Sequence, residues 1–108
     1  MAEPRIRVKS PKEAMRGTLI EIMTLISHRM DTGLRKDQKG KVIPRYIVIQ
    51  FLSRYNGETR FSMDLHEAIS ANPLIQFHLV AENTGTLEFI WNEDGGQVYT
   101  TTREIRVL

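Results

Sequence analysis

The chain has 108 residues, of which 41% are hydrophobic and 26% are charged, and this mixture is typical of a globular domain rather than of a disordered chain. Its length suits one hydrophobic core, so we expect a single domain over residues 1–108. The absence of cysteine excludes disulfides, a thiolate nucleophile and cysteine-ligated metal sites in these residues. The net charge is only +2, but it is unevenly distributed along the chain.

Apolar alternation recurs between turn signals along the whole sequence, and no window carries the stripe of an amphipathic helix. The pattern predicts seven strands, over residues 5–8, 18–26, 46–55, 58–65, 74–81, 86–91 and 97–107. About seven short strands in roughly 100 residues is typical of an immunoglobulin-like sandwich. We therefore predict an all-β fold, an immunoglobulin-like antiparallel β-sandwich.

Turn signals separate these strands. Asn56 and Gly57 predict a type I′ hairpin between the third and fourth strands, because both residues tolerate positive φ. The Asp-Gly-Gly segment at 94–96 is expected to form the same turn before the last strand. Pro73 forbids helix continuation and forces Asn72 towards extended backbone, so a turn is expected there.

The second and third strands carry apolar residues on both faces. With strict alternation, Val48 and Leu52 lie on the face of the third strand opposite Phe51, and Met23 lies opposite the isoleucines of the second strand. Because antiparallel sandwich sheets usually leave one face to water, we expect a cover over these outer residues. A loop of the same chain and a partner protein are both open as that cover.

A long polar segment, Ser27 to Arg45, separates the second and third strands. It holds six basic and two acidic residues, a net charge of +4, whereas the rest of the chain has nine basic and eleven acidic residues, a net charge of −2. Connections beyond about 12–15 residues are usually functional or disordered. The segment over residues 29–45 could form a nucleic-acid or anion-binding module, although it lacks an aromatic for base stacking. A docking surface for acidic proteins and a solvated loop are the alternatives.

No combination of residues in the sequence predicts catalysis or a metal site. His28, His66 and His78 are far apart and show no metal-ligand spacing. There is no G-x-S-x-G motif, and the carboxylates are scattered. We therefore predict no catalytic residue, no metal and no cofactor; a small enzyme that uses His28 with Asp31 has the least support.

Four short motifs carry a resemblance to a known family. They are "TLISH", "TGLRKD", "GKVIPR" and "ISANP", at residues 24–28, 32–37, 40–45 and 69–73. With these motifs the chain resembles SoxZ, one subunit of the SoxYZ sulfur carrier of bacterial thiosulfate oxidation, from Arg5 to Val107. One departure is Arg29, which stands where the family is expected to have proline.

The resemblance implies an immunoglobulin-like sandwich that pairs with SoxY, whose cysteine carries the sulfur intermediates. This chain would then be the non-catalytic subunit of a heterodimer, with no cofactor of its own and with neither nucleic acid nor a membrane as partner. We expect Met23, Val48 and Leu52 to contact SoxY, and we expect a homodimer through the same residues in isolation.

At two further places the chain is expected to dock other Sox pathway enzymes in transient contacts or to shelter the flexible SoxY arm that bears this cysteine. The docking loop comprises His28, Arg29, Arg35, Lys36, Lys41 and Arg45, and the docking turn comprises Asn72 and Pro73. The sequence alone indicates a soluble protein without its own export signal, because no signal pattern or membrane-length apolar run is present. The resemblance implies a periplasmic location, reached by export together with a signal-bearing SoxY.

Overall fold

The computed structural model describes residues 5–27, 38–40, 47–65 and 73–108, and the regular structure within these ranges is all β-strand. The strands are β1 (Arg5–Lys9), β2 (Glu13–Ala14), β3 (Leu19–Ser27), β4 (Val48–Tyr55), β5 (Glu58–Asp64), β6 (Leu74–Val80), β7 (Gly85–Glu93) and β8 (Val98–Val107). The described ranges contain no helix that is long and apolar enough to span a membrane. The all-β prediction is confirmed, with one short strand, β2, in addition to the seven predicted.

The strands form two sheets that pack face to face as a sandwich. One sheet has three antiparallel strands in the order β1-β3-β6. The other has five strands in the order β2-β8-β7-β4-β5, and all its pairs are antiparallel except β2 with β8. Among the described residues, the inward faces of both sheets supply one hydrophobic core, as the two-layer sandwich prediction requires.

Aromatic side chains fill the centre of the core. Phe51 of β4 lies with its ring centroid 5.1 Å from that of Trp91 on β7 and 5.8 Å from that of Phe77 on β6, so it joins the two sheets. Phe61 of β5 stacks on Phe77 at 4.5 Å, and this pair closes the side of the sandwich where β5 and β6 meet. Offset and edge arrangements of this kind stabilise aromatic clusters beyond their buried area.

A β-bulge at the start of β4 reverses the side-chain alternation there. Val48 pairs with Glu93, but the next paired residue is Gln50, so the register shifts by one between them. Val48 and Phe51 therefore both face the core, where they are 1% and 0% exposed. The prediction that Val48 lies on an outer face is wrong, because strict alternation does not account for the extra residue of a bulge.

Local turn chemistry accounts for the hairpins. Asn56 and Gly57 have φ values of 50° and 83°, as the predicted type I′ turn between β4 and β5 requires. The turn between β7 and β8 is different, because only Gly96 has positive φ, at 95°. Its backbone N–H donates to the Glu93 carbonyl at 3.0 Å, which fits a type I turn followed by a left-handed residue.

The end of β4 is tied to the connection between β6 and β7, which crosses from one sheet to the other. The buried Tyr55 hydroxyl donates to the carbonyl of Asn83 and accepts from its backbone N–H at 3.1 Å. Arg60 of β5 binds the carboxylate of Glu82 in the same connection at 2.9 Å. These contacts hold the two sheets in a fixed relation at this end of the sandwich.

Candidate partner-binding site

Most of the predicted docking residues lie outside the described residues. This applies to the whole docking loop, His28, Arg29, Arg35, Lys36, Lys41 and Arg45, and to Asn72 of the docking turn. Pro73 is described: it is buried and directly precedes β6. The docking function of the loop and turn, and the alternative nucleic-acid or anion-binding use of residues 29–45, stay predictions.

Of the three predicted interface residues, Val48 is buried, and Met23 and Leu52 lie on opposite outer faces of the sandwich. Met23 faces outward from β3, between the buried Ile22 and Thr24 of the three-stranded sheet. Leu52 faces outward from β4 of the five-stranded sheet, where its neighbours Phe51 and Ser53 are buried. Because the whole core separates the two side chains, Met23 and Leu52 cannot both belong to one flat interface.

The outer face of the three-stranded sheet carries several exposed apolar side chains. Its five apolar side chains, which we call the apolar face, are Leu19, Met23, Leu25, Leu74 and Val80. The register of β3 with β6 places Leu25 beside Leu74 and Leu19 beside Val80. Leu19 is 66% exposed, Leu74 59% and Val80 47%, so most of this apolar surface is open in the described structure. Exposed apolar patches on an antiparallel sheet commonly mark an interaction site.

A polar pair separates the two ends of the apolar face. Glu21 lies opposite His78 in the register, with their carboxylate and imidazole atoms 3.5 Å apart. Both side chains are about half exposed, so the pair remains in contact with water. The apolar face is therefore suited to a partner surface that has both apolar and polar groups, rather than to a uniformly apolar one.

Basic residues border the apolar face along β1. Arg5, Arg7 and Lys9 alternate outward on this edge strand, and the register places Arg7 beside Leu25 and Lys9 beside Met23. We call these three residues the basic rim. A shallow cavity of about 200 Å³ lies where Arg7 meets Leu25 and Leu74, and another of about 290 Å³ lies between Lys9 and Met23. A partner with acidic groups opposite β1 would gain complementary charge there.

The outer face of the five-stranded sheet is more polar. Leu52 lies beside Ile90 of β7, and Ile90 is already buried. The residues around this pair are largely polar, and they include a hydrogen bond of 2.9 Å between the Asn92 and Gln50 side chains. Among the described residues, only Val98 presents a large exposed apolar side chain on this face, at 53%. The apolar face is therefore the better candidate for binding a partner.

The described residues do not form a catalytic constellation. Within the described ranges, no group of three or more His, Cys, Asp and Glu side chains could hold a metal ion. His78 is the one histidine within these ranges, and its contact is the exposed Glu21 described above.

Sequence reasoning missed Leu74, Val80 and the basic rim. The alternation of β6 already puts Leu74 and Val80 opposite the buried Ile75 and Phe77, so the signal was present in the sequence. What the sequence did not reveal is that β6 lies beside β3. Only this pairing joins the outer residues of both strands into one surface.

Solved structures share this fold at low sequence identity. Superoxide reductase (neelaredoxin) from Ignicoccus hospitalis aligns with a TM-score of 0.73 and 10% identity, covering 97% of this chain and 82% of that chain. The sulfur carrier protein SoxY from Chlorobium limicola f thiosulfatophilum aligns with a TM-score of 0.64 and 18% identity, covering 95% of this chain and 78% of that chain. At these identities the likeness establishes the sandwich fold alone.

The sequence comparison identifies the family directly. No curated protein matches the sequence significantly. Residues 6–104 match the family described as "Sulphur oxidation protein SoxZ". Because this match spans nearly the whole chain, the protein belongs to the SoxZ family, and its role lies in sulfur oxidation by the Sox system.

Proposed function

We propose that the chain is the non-catalytic subunit of a SoxYZ heterodimer that carries the sulfur intermediates of thiosulfate oxidation. Family membership supports a place in the Sox system. The 108 residues contain no cysteine, so a thiol that carries sulfur has to belong to another chain of the complex. SoxY supplies that thiol, and the present chain binds and presents SoxY.

The apolar face is the proposed binding site for SoxY. The observation that supports this assignment is the exposure of Leu19, Leu74 and Val80 on the outer face of one sheet. The two strands that carry it, β3 and β6, are about 4.8 Å apart and pair over about seven residues, so they cover roughly 200 Å². A stable interface takes about 800 Å² from each partner, so the contact extends beyond the apolar face. The basic rim directly beside it is the natural extension, and it favours an acidic border on SoxY.

Co-expression with SoxY of the same organism tests the heterodimer. We expect the two chains to copurify and to elute as a stable 1:1 complex. The matched control is co-expression of SoxY with the double variant Leu19→Ser/Leu74→Ser, which should yield less complex. A chain that remains alone beside folded SoxY would contradict the proposal.

A homodimer in isolation follows from the same surface. Without SoxY, the apolar face of one copy can cover that of another, because burial of exposed leucine and valine side chains is favourable. Sedimentation velocity should show concentration-dependent dimers that disappear when SoxY is added. If the fraction of dimer stays the same when SoxY is bound, self-association uses another surface.

We also propose a periplasmic location and transient contacts with other Sox enzymes. Export together with a signal-bearing SoxY would bring the chain to the periplasm, and the docking loop and docking turn would meet the pathway enzymes. Deleting the signal of SoxY should leave both chains in the cytoplasmic fraction. If the present chain reaches the periplasm without SoxY, joint export is wrong.

A further inference from the structure

One side of β8 is an open sheet edge along most of its length. β7 pairs with β8 on one side from Val98 to Ile105. On the other side, β2 pairs with it only at Arg106 and Val107. Among the described residues, no strand pairs with this second side before Arg106. We call the part of this side from Thr100 to Glu104 the open edge.

The open edge presents both donors and acceptors of the backbone. The N–H of Arg106 points towards β2, where it donates to the carbonyl of Lys12 at 2.9 Å. Successive residues of a strand direct their backbone groups to opposite sides, so the groups of Thr100, Thr102 and Glu104 face the same side as those of Arg106. An edge of this kind is a template for an added strand.

A basic cleft lies at the C-terminal end of the open edge. It has a volume of about 690 Å³ and lies between β8 and the β1 strand with its following segment. Its lining includes four basic residues, Lys9, Lys12, Arg103 and Arg106, but only one acidic residue, Glu104. The residues that line the cleft therefore carry a net positive charge beside a row of backbone groups, of which the Thr102 carbonyl already accepts from Arg103.

The two charged side chains on the open edge itself are already oriented. The Arg103 guanidinium donates to the carbonyl of Thr102 at 2.7 Å and to the hydroxyl of Thr101 at 3.1 Å. It therefore occupies one acceptor of the open edge, and a strand added there has to displace it. The Glu104 carboxylate accepts from the Thr86 hydroxyl at 2.9 Å, which turns it towards β7. The acidic group of the lining is thus engaged on the side away from an incoming strand.

We propose that the open edge accepts an extended acidic segment of another protein as an additional strand, with carboxylates that reach into the basic cleft. A peptide backbone matches the open edge because it offers both N–H and C=O groups, whereas a free anion can accept hydrogen bonds but cannot donate them. A second copy of this chain fits poorly, because its β8 would add two arginines and only one glutamate rather than a series of carboxylates. The proposal does not depend on the apolar face or on the identity of SoxY.

The test uses the full chain and a fluorescein-labelled peptide of about ten residues, the length of β8, with alternating glutamate and threonine. Fluorescence anisotropy should show saturable binding that weakens with salt. In NMR spectra recorded as the peptide is added, the largest changes in backbone amide chemical shift should occur at Thr100, Thr102 and Glu104. A peptide with lysine in place of glutamate should not bind, and neither should a glutamate peptide that is N-methylated at alternate residues, because it cannot form a ladder.

Charge reversals in the chain test the basic cleft. Lys12→Glu and Arg106→Glu should each weaken peptide binding about fivefold. This factor corresponds to the contribution of one partly exposed ion pair to the binding free energy. Arg54→Glu makes the same change in net charge on β4, outside both the cleft and the basic rim, and should leave affinity within about twofold. Thermal unfolding followed by circular dichroism checks that all three variants are folded.

Several results would overturn the proposal. The first is absence of binding by the glutamate peptide to the folded chain. The second is equal binding by the N-methylated peptide, which would reduce the interaction to charge alone. Amide shifts that map away from the open edge would place the site elsewhere. A homodimer that buries the open edge in the absence of peptide would assign it to a second copy.

Discussion

Replacing the two most exposed leucines of the apolar face should weaken SoxY binding strongly. Leu19 and Leu74 remain 66% and 59% exposed, so most of their hydrophobic gain is still available to a partner. Full burial of a leucine contributes about 1.5–3 kcal/mol, and the exposed parts of both side chains therefore contribute about 2–4 kcal/mol when SoxY covers them. The double variant Leu19→Ser/Leu74→Ser should raise the Kd for SoxY about 30- to 1,000-fold.

Isothermal titration calorimetry, with purified SoxY added to each variant, measures this change in Kd. Val98→Ser is the matched control, because Val98 is 53% exposed but lies on the outer face of the other sheet. A surface substitution away from the interface should change the Kd by no more than about twofold. Unchanged affinity in the folded double variant, or an equal loss in the control, would refute the assignment of the apolar face.

Three further predictions concern the free energy of unfolding, measured in urea. Tyr55→Phe removes the hydroxyl that binds both backbone groups of Asn83 and should lower stability by about 1–2 kcal/mol; wild-type stability would mean that this contact does not hold the sheets together. Gly85→Ala places a Cβ 1.7 Å from Oδ1 of Asn56, whose side chain must then give up its hydrogen bond to a β7 backbone amide. A cost of about 1–2 kcal/mol is expected, and an unaffected midpoint would contradict that packing. Ser53→Ala removes a buried hydroxyl without a hydrogen-bond partner among the described residues and should leave stability unchanged or raise it by up to about 1 kcal/mol; a clear loss would show that the hydroxyl is bonded.

The features of the fold that depend on residues close together in the sequence could be predicted from the sequence alone. Strand positions follow from apolar alternation, and the β4–β5 hairpin follows from the tolerance of Asn56 and Gly57 for positive φ. β2 could not be predicted, because Glu13–Ala14 is too short to show a period. It exists as a strand only because the C-terminal end of β8 lies beside it, far away in the sequence.

The candidate site was harder to predict because it depends on how the strands are arranged. Alternation correctly puts Met23 and Leu52 on outer faces, but it does not reveal that their strands belong to different sheets. Val48 was misplaced because a bulge changes the alternation without a distinctive local sequence. Leu74 became part of a surface only through the pairing of β6 with β3.

The location of the sulfur tests the central claim most directly. Native mass spectrometry followed by intact-mass measurement of the separated subunits should be applied to the complex purified from cells that oxidise thiosulfate. We predict a 1:1 complex in which sulfur adducts reside on SoxY and are removed by a thiol reductant, while the present chain keeps the mass of its unmodified sequence. A chain that is never found with SoxY, or that itself carries the sulfur adduct, would contradict the account.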